Sequence, residues 1–394
     1  MSAGCLAFLG LYFIWERLRV SQKTRSIPLR VCVTGTRGKS SVTRLIASCL
    51  RESGLKVIAR TTGSRPVILL PDGEEKDVRR RGLPSILEGK KLLKLGAELK
   101  AQALVAELMS IRPESSHVES AHIFSPHILV ITNVHLDHLA QMGSSRQDIA
   151  RCFTASFPER GTVFVLEEEL FPVFEEAAER LNTRLVRVGR DSFGEYFGAK
   201  EEYHPFEFEE NIRLAQAVAE HLEIDREAVS RGLERVTPDF GSLKVWATQL
   251  GEPSRCWHLV SLFAANDPES TRCALSRIAV RKPFDGLEKV GILNLRSDRG
   301  DRTIQWLRAL KEGLFPEFRK IFVIGEQANA FRRRWRSSLD TELYTLKLQS
   351  PPAIMEKITK TVSGDAVLVG MGNMGGVGEE LVEYWENTGR PYDF

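Results

Sequence analysis

The chain has 394 residues, 42% of them hydrophobic, and a formal net charge of only +3. A chain of this length exceeds one ordinary hydrophobic core, so we expect two soluble α/β domains. Proteins that coat nucleic acids carry many unpaired Lys and Arg side chains, so we expect no nucleic-acid partner. The 6 cysteines are scattered without the spacing of a zinc site, which is typical of a reducing compartment.

The N-terminus contains an almost entirely apolar run, CLAFLGLYFIW, from Cys5 to Trp15. This run is shorter than the roughly 20 apolar residues that cross a bilayer. Basic residues follow it, among them Arg17 and Arg19, and such residues hold their side of a membrane segment in the cytoplasm. We therefore predict that residues 1–20 associate with the cell membrane at its cytoplasmic face. A docked hydrophobic arm is the alternative.

A phosphate-binding loop is predicted where a buried strand runs into a helix. Glycines let backbone N–H groups approach a polyphosphate, Lys39 offers a positive charge, and Ser40 can place its hydroxyl on Mg²⁺. The N-terminus of the following helix also favours an anion. The interval from Gly35 to Gly38 fits the short GTxGK[ST] variant of the Walker loop, and a plain glycine turn is the alternative. The residues predicted to bind ATP here are Gly35, Thr36, Arg37, Gly38, Lys39, Ser40 and Ser41.

Strands and helices alternate along the first part of the chain, which predicts a parallel sheet. The segment 66–84 is poor in apolar residues and carries the turn signal Pro71-Asp72-Gly73, so we expect an irregular surface excursion there. Strands are predicted at 31–34, 55–60, 103–107, 127–133 and 161–166, and helices at 39–53, 85–101, 145–156, 168–181 and 209–222.

Two of these strands end in polar side chains. Glu107 closes one strand and would emerge at the carboxyl edge of the sheet, where ligands of open α/β folds bind. It is either a Mg²⁺ ligand or an exposed glutamate at the end of a strand. The next strand delivers the segment NVHLDH, residues 133–138, to the same edge. In that setting we predict that His138 is a metal or phosphate ligand.

Alternating strands and helices begin again after a predicted hinge at 237–241. The renewed alternation predicts a second doubly wound unit. Its strands are predicted at 256–263, 288–295, 319–324 and 365–369, and its helices at 268–280, 302–313, 326–336, 352–361 and 376–387.

Several motifs of the first part resemble the central domain of the Mur ligase superfamily, which includes folylpolyglutamate synthases. They are GTRGKSS, the strand ending in Glu107, ITNVHLDHL, and ENIRLA at 210–215. The resemblance implies an α/β fold in two parts. A P-loop-type central ATPase domain with a parallel sheet would span 28–240, and a Rossmann-like C-terminal Mur ligase domain would span 241–394.

The same resemblance implies roles for individual residues. Lys39 and the loop amides would hold the β and γ phosphates of ATP, and Asn211 would lie beside the adenine. Ser40 and Glu107 would ligate Mg²⁺, and His138 would ligate a second Mg²⁺. Lys39, Glu107 and His138 are thus the expected catalytic residues.

Further motifs are similar, in order and spacing, to ligase subunits of poly-γ-glutamate synthases of the PgsB or CapB type. They include VHLDHLAQMG, FTASFPERG, TPDFGSLKVW, SLFAANDPEST, NLRSDRGDRT and VGMGNMGG, and they cover nearly the whole chain. Two positions depart from the wider superfamily. Cys152 and its neighbours stand where many of these ligases carry a carbamylated lysine. Leu262 replaces a ribose-binding aspartate, and Asn266 nearby is expected to contact ATP.

The resemblance implies an ATP-dependent ligase that activates a carboxylate as an acyl phosphate and releases ADP and phosphate. It would add glutamate to a growing poly-γ-glutamate chain. Guanidinium groups grip carboxylates in bidentate fashion, so Arg296, Arg299 and Arg302 are the predicted glutamate-binding residues. A solvated loop in which Asp298 and Asp301 pair with these arginines is the alternative.

Partners and competing functions follow from the same observations. Family resemblance implies small hydrophobic membrane subunits of a synthase complex, and a homo-oligomer is a further option. Two other functions stay open at this point: a P-loop ATPase coupled to transport or regulation, and another polyglutamylating ligase of the folate or cyanophycin type.

Overall fold

The computed structural model describes residues 3–63, 65–78, 80, 82, 84–190, 208–280, 284–335, 341–347 and 350–392. The chain divides into two compact units, Met1–Asp239 (unit 1) and Phe240–Phe394 (unit 2). Residues 1–2 of the predicted membrane segment and residue 336 of a predicted helix lie outside the described residues.

Unit 1 is built on an eight-stranded sheet with the order β4-β3-β2-β5-β1-β6-β7-β8. The strands from β2 to β8 in that order are parallel, and β3 and β4 extend the sheet in antiparallel fashion. The strands are β1 Leu29–Thr34, β2 Val57–Arg60, β3 Val67–Leu69, β4 Glu75–Asp77, β5 Ala103–Glu107, β6 Ile128–Ile131, β7 Thr162–Leu166 and β8 Arg184–Val188.

Helices cover both faces of this sheet, as the near-continuous burial of the central strands requires. Along β1, Val31 and Val33 face one hydrophobic cluster and Cys32 faces the other, because side chains of a strand alternate between faces. The helices are α1 Ala3–Arg25, α2 Lys39–Glu52, α3 Glu88–Glu98, α4 Pro113–His117, α5 Leu139–Met142, α6 Arg146–Phe153, α7 Pro172–Leu181, α8 Glu209–His221 and α9 Arg226–Glu234.

A π-helix, Val118–Phe124, follows α4 directly. Such helices carry i→i+5 hydrogen bonds and are rare. Side chains from elsewhere in unit 1 bind its last carbonyl groups: Thr24 Oγ1 donates to Ile123 O at 3.1 Å, and Arg30 Nε donates to Phe124 O at 3.0 Å. Helix α3 approaches so closely that a Cβ on Gly89 would lie 2.9 Å from a methyl carbon of Ile123. The π-helix is therefore fixed on several sides.

Helix α1 packs on the rest of unit 1 through its C-terminal half. Lys90 Nζ donates to Glu16 Oε1 at 2.7 Å, and Val20 packs against the core beneath. The large apolar side chains exposed on the rest of α1 are Phe8, Leu9, Leu11, Tyr12, Phe13, Ile14, Trp15 and Leu18. Among the described helices, none combines the length and apolar character needed to cross a membrane.

Unit 2 contains a seven-stranded sheet with the order β13-β12-β11-β14-β10-β9-β15. The five strands from β13 to β10 are parallel, and β9 and β15 add antiparallel pairs. The strands are β9 Lys244–Leu250, β10 Arg255–Ser261, β11 Glu288–Asn294, β12 Lys320–Ile324, β13 Glu342–Thr345, β14 Ala366–Gly372 and β15 Arg390–Pro391, and the helices are α10 Pro268–Val280, α11 Gly300–Lys311, α12 Ala328–Arg334, α13 Pro351–Thr361 and α14 Val377–Thr388.

The predicted α/β class with parallel sheets is confirmed, whereas some local predictions were wrong. The segment 66–84 contains β3 and β4 rather than an irregular excursion alone, because β3 continues the sheet beside β2. Helix α3 begins at Glu88 rather than at residue 85. Besides β3 and β4, the elements that the sequence patterns missed are α4, the π-helix, α5, β8, α9, β9, β13 and β15.

Candidate active site

Two glycines of the predicted phosphate loop have backbone conformations that favour glycine. Gly35 has φ of 129° and Gly38 has φ of 75°. A Cβ on Gly35 would lie 2.1 Å from Thr132 Oγ1, and a Cβ on Gly38 would lie 2.5 Å from Asn211 Oδ1. The loop between β1 and α2 is therefore packed at both glycines, and Asn211 of α8 lies directly against it.

The segment after β6 holds the backbone of this loop. Asn133 Oδ1 accepts a hydrogen bond from Arg37 N at 2.9 Å, and Asn133 Nδ2 donates to Arg37 O at 3.1 Å. Thr132 Oγ1 also donates to Arg37 O, at 2.5 Å. Sequence reasoning placed Asn133 at this edge but missed its role as a clamp. The sequence did contain a signal for this role, because Asn133 carries an amide side chain and follows a buried strand predicted to end at the same edge as the glycine loop.

Lys39 opens α2 and its ammonium group folds over the loop. Nζ donates to Gly35 O at 2.8 Å and to Thr36 O at 3.2 Å. The positive charge thus lies beside the N-terminus of α2, where the helix dipole also favours an anion. Loop amides, lysine and helix terminus together form an arrangement suited to a polyphosphate.

Ser40 and Glu107 meet at the carboxyl edge of the sheet. Ser40 Oγ donates to Glu107 Oε2 at 2.8 Å, and Thr62 N donates to the same oxygen at 2.7 Å. Glu107 is 2% exposed, so the alternative of an exposed strand-end glutamate is wrong.

The Ser40–Glu107 pair fits a divalent cation. Neighbouring oxygen ligands of an octahedral Mg²⁺ lie about 2.9 Å apart when each bond is about 2.05 Å long, which matches this separation. The described residues contain no group of three or more His, Cys, Asp or Glu side chains that could hold a metal. A cation held by one hydroxyl, one carboxylate and nucleotide phosphates needs no such group.

His138 follows Asp137 in the segment after β6, and the two residues contact each other. Its backbone is left-handed, with φ of 49°, and its amide donates to Asp137 Oδ1 at 2.9 Å. Asp137 Oδ2 accepts from Arg37 Nη1 at 2.9 Å and lies 3.8 Å from His138 Nε2. Arg37, Asp137 and His138 therefore form one polar group next to the phosphate loop. At the position of the missing lysine, Cys152 Sγ donates to Met142 O at 3.5 Å.

A second charged group, Glu169 with Arg146, binds the segment that follows β6. Glu169 Oε2 accepts from Val134 N at 3.0 Å and from Arg146 Nη2 at 2.7 Å. Burial by itself would raise the pKa of Glu169. The imidazole of His135, with Nε2 at 3.7 Å from Glu169 Oε1, the hydrogen bond from Val134 N and the charge of Arg146 outweigh burial and hold that pKa below its ordinary value. Glu169 thus stays ionised and anchors the segment that leads to His138.

The predicted substrate arginines of unit 2 have different surroundings. Arg296 makes a bidentate pair with Asp298, with both contacts at 2.9 Å, and hydrogen bonds from Arg296 hold the pKa of Asp298 below its usual range. Arg302 is buried and donates from Nη1 to Asn373 Oδ1 at 3.1 Å. Arg299 immediately precedes α11 and is half-buried. The structure therefore confirms the Arg296–Asp298 contact of the solvated-loop alternative.

Asn266 occupies a tight turn in unit 2, between β10 and α10. Its φ is 62°, its side chain donates to Ala264 O at 2.8 Å, and its carbonyl accepts from Trp306 Nε1 at 3.0 Å. Leu262, at the position of the superfamily's aspartate, is buried. The turn around Asn266 is therefore fixed by hydrogen bonds of its own backbone and side chain.

The chain matches two protein families. The Mur ligase middle domain matches residues 33–231, and the poly-gamma-glutamate synthase CapB C-terminal domain matches residues 247–388. The chain is 33% identical over 383 residues to the capsule biosynthesis protein CapB of Bacillus anthracis, covering 96% of this chain and 81% of that protein. It is 32% identical over 375 residues to PGA synthase CapB of Bacillus subtilis (strain 168), covering 94% and 93%.

Solved structures show a similar fold. E. coli FolC in complex with ADP superposes with a TM-score of 0.69 at 16% identity, covering 94% of this chain and 91% of that chain. A bifunctional folylpolyglutamate synthase/dihydrofolate synthase with Mn, AMPPNP and L-glutamate bound gives a TM-score of 0.70 at 16% identity, covering 94% and 92%. At this level of identity the likeness concerns the fold.

Proposed function

Because this chain belongs to the CapB family of poly-γ-glutamate synthases, within the Mur ligases, we propose that its phosphate loop activates a carboxylate for amide-bond formation. The chain is an ATP-dependent ligase that adds glutamate in poly-γ-glutamate synthesis, and the function predicted from the sequence is confirmed at that level. We further propose that the cation is Mg²⁺ and that the products are ADP, phosphate and an isopeptide bond.

The observation that carries this proposal is the Ser40–Glu107 contact at 2.8 Å beside the glycine loop. When bound, ATP would supply the phosphoryl group that turns a carboxylate into an acyl phosphate, and Mg²⁺ would neutralise charge on that group. Lys39 and the loop amides bind the phosphates, and Ser40 and Glu107 hold the cation. Asn211 lies against the loop at Gly38 and is suited to contact the nucleoside.

The arginines of unit 2 are proposed to bind glutamate. Arg302 is the strongest of the three, because a buried guanidinium held by Asn373 is already oriented and needs little ordering on binding a carboxylate. Arg296 would have to exchange Asp298 for the substrate, since its fork is occupied by that carboxylate. His138 is proposed to ligate a second cation, with Asp137 beside it.

We also propose that α1 attaches the protein to the cytoplasmic face of the membrane, where small hydrophobic subunits of a synthase complex would join it. The support is the concentration of exposed apolar side chains between Phe8 and Leu18, next to basic residues such as Arg19. Deletion of residues 1–15 leaves the docked half of α1 in place and should abolish co-sedimentation with anionic lipid vesicles. Ile304→Ser removes an exposed apolar side chain of unit 2 and should leave co-sedimentation unchanged; equal sedimentation of the deletion variant would refute the attachment.

The central experiment incubates the full chain with ATP, Mg²⁺, glutamate and a short γ-glutamyl peptide, and follows products by mass spectrometry. We expect one ADP and one phosphate for each glutamate added. Lys39→Ala should lower the rate at least a hundredfold, because the ammonium beside the loop carbonyls is lost. Lys94→Ala, which removes an exposed lysine paired with Glu98 at 3.7 Å, is the matched control and should retain the full rate.

Two results would contradict the proposal. Release of ADP by the wild-type chain without any amide product would indicate an ATPase coupled to another process. Extension of folate in preference to γ-glutamyl peptides would indicate a different polyglutamylating ligase.

A further inference from the structure

A buried ion pair lies behind the predicted metal ligand and has no part in the chemistry described above. Arg60, the last residue of β2, is 1% exposed, and Glu119 of the π-helix is 0% exposed. Arg60 Nη2 donates to Glu119 Oε1 at 3.0 Å. The two residues are 59 positions apart in the chain, so the tertiary fold alone brings them together.

The same nitrogen of Arg60 also binds Glu107. Nη2 donates to the backbone carbonyl of Glu107 at 3.0 Å, while Thr62 N donates to the Glu107 carboxylate at 2.7 Å. Residues 60–62 therefore hold both the main chain and the side chain of Glu107. This double attachment fixes where the carboxylate lies as β5 ends.

Glu119 fixes the chain on the other side of Glu107. Its Oε2 accepts hydrogen bonds from Met109 N at 3.1 Å, from Ser110 N at 3.0 Å and from Ser110 Oγ at 2.6 Å. One carboxylate thus ties Arg60 to the two residues that follow the end of β5. Because the π-helix is itself held by Thr24 and Arg30, Glu119 is a fixed point for these contacts.

The pair is not arranged for maximal stability. Arg60 Nε and Nη1 are buried without a hydrogen-bond partner, so part of the cost of removing the guanidinium from water is not recovered. Buried ion pairs are often no more stable than apolar residues of similar volume. The pair retains this desolvation cost while Arg60 binds the main chain of Glu107. Its role is therefore better explained by orientation of Glu107 than by a gain in the free energy of unfolding.

We propose that Arg60 and Glu119 are positioning residues that orient the Glu107 carboxylate toward the nucleotide-bound divalent cation. The inference rests on the proposed function in so far as Glu107 is taken as the metal ligand. Neither residue touches the reacting groups. Their effect should therefore appear in cation affinity before it appears in the rate at saturating cation.

The test measures Mn²⁺ binding to the full chain in the presence of ADP, with free Mn²⁺ followed by electron paramagnetic resonance. The main variant is the double substitution Arg60→Met with Glu119→Leu, which replaces the pair by apolar side chains and leaves no buried charge unpaired. We expect the apparent Kd for Mn²⁺ to rise at least tenfold. The Mg²⁺ concentration that gives half-maximal ligase activity should rise by a similar factor, with the rate at saturating Mg²⁺ within a few-fold of wild type.

Leu233→Ala is the stability control. It removes a fully buried side chain of α9, and α9 packs against α2 at Cys49, away from the π-helix and Glu107. It should lower stability but leave the Kd for Mn²⁺ unchanged. An equal loss of Mn²⁺ affinity in this control would mean that general destabilisation causes the effect, and the positioning role would be overturned.

A second variant tests the inference if the double variant does not fold. Glu119→Gln keeps the shape of the side chain, but only one oxygen remains to accept hydrogen bonds, so either Arg60 or the amides of residues 109–110 lose their acceptor. Its Kd for Mn²⁺ should also rise. Wild-type affinity in any folded variant of the pair overturns the inference. Mn²⁺ binding by wild-type protein that makes no amide would instead contradict the proposed function alone.

Discussion

Substitution of Gly38 by alanine tests whether the loop is held as tightly as the structure indicates. Gly38 has φ of 75°, and a left-handed backbone costs a residue with a Cβ about 1 kcal/mol. The new Cβ would also lie 2.5 Å from Asn211 Oδ1. Asn211 is buried on α8, so relief of this clash should add about 2 kcal/mol. The total expected loss of stability in unit 1 is therefore about 3 kcal/mol.

Gly54→Ala provides the matched control. Gly54 has φ of 90°, but a Cβ there meets no atom within 4 Å. Only the backbone cost of about 1 kcal/mol should remain. The two variants thus separate strain in the main chain from the clash at the loop.

The assay has to report on unit 1. All tryptophans except Trp15 lie in unit 2, so hydrogen exchange of the α2 amides, measured by mass spectrometry, is the better probe of stability. Calorimetric titration with ADP measures the loop itself, and we expect at least tenfold weaker binding for Gly38→Ala, equivalent to about 1.4 kcal/mol. Wild-type ADP affinity in Gly38→Ala, or a stability loss no larger than that of Gly54→Ala, would refute the reasoning.

Three further predictions concern single side chains. Lys39→Met should weaken ADP binding in calorimetry, since the ammonium that lies at the carbonyl of Gly35 is lost; unchanged affinity would exclude a role in phosphate binding. Burial lowers the pKa of His258, so the unfolded chain takes up a proton more readily and unit 2 should lose stability as the pH falls from 7 to 5. Tryptophan fluorescence should show this loss, and His258→Phe should reduce it. Burial raises the pKa of Cys49 to about 12, so its thiol should resist iodoacetamide at pH 8 until the chain unfolds. The exposed thiol of Cys273 should react at once. Labelling of both cysteines at equal rates in the folded chain would contradict the burial of Cys49.

The glycine loop and Glu107 could be predicted because each depends on local chain order. A buried strand, a glycine turn and an apolar helix define the loop within a few residues, and the end of a neighbouring parallel strand has to lie at the same edge. The hydrogen bond between Ser40 and Glu107 follows from that topology. The sequence predicted both residues as Mg²⁺ ligands although 67 positions separate them, whereas their direct hydrogen bond was not predicted.

Other parts of the site depend on contacts that leave no local pattern. In the sequence, Asn133 is one polar residue among several. Its hydrogen bond with the backbone of Arg37 depends on the pairing of β6 with β1. Glu119 lies in a segment without helical or strand periodicity. Strand β4, Glu75–Asp77, consists of three charged residues that are exposed in the structure, so no apolar alternation marks it. These features are set by tertiary packing.

The π-helix has a consequence for how this chain can tolerate the loss of a residue. A π-helix differs from an α-helix by one additional residue in the turn, and each residue of an α-helix advances the direction of the side chains by about 100°. Loss of a single codon within Val118–Phe124 could therefore restore a regular helix while turning Glu119 away from Arg60. The segment would remain helical and buried, yet the support behind Glu107 would be lost. Chain length in this segment is thus as specific a requirement as the identity of Glu119 itself.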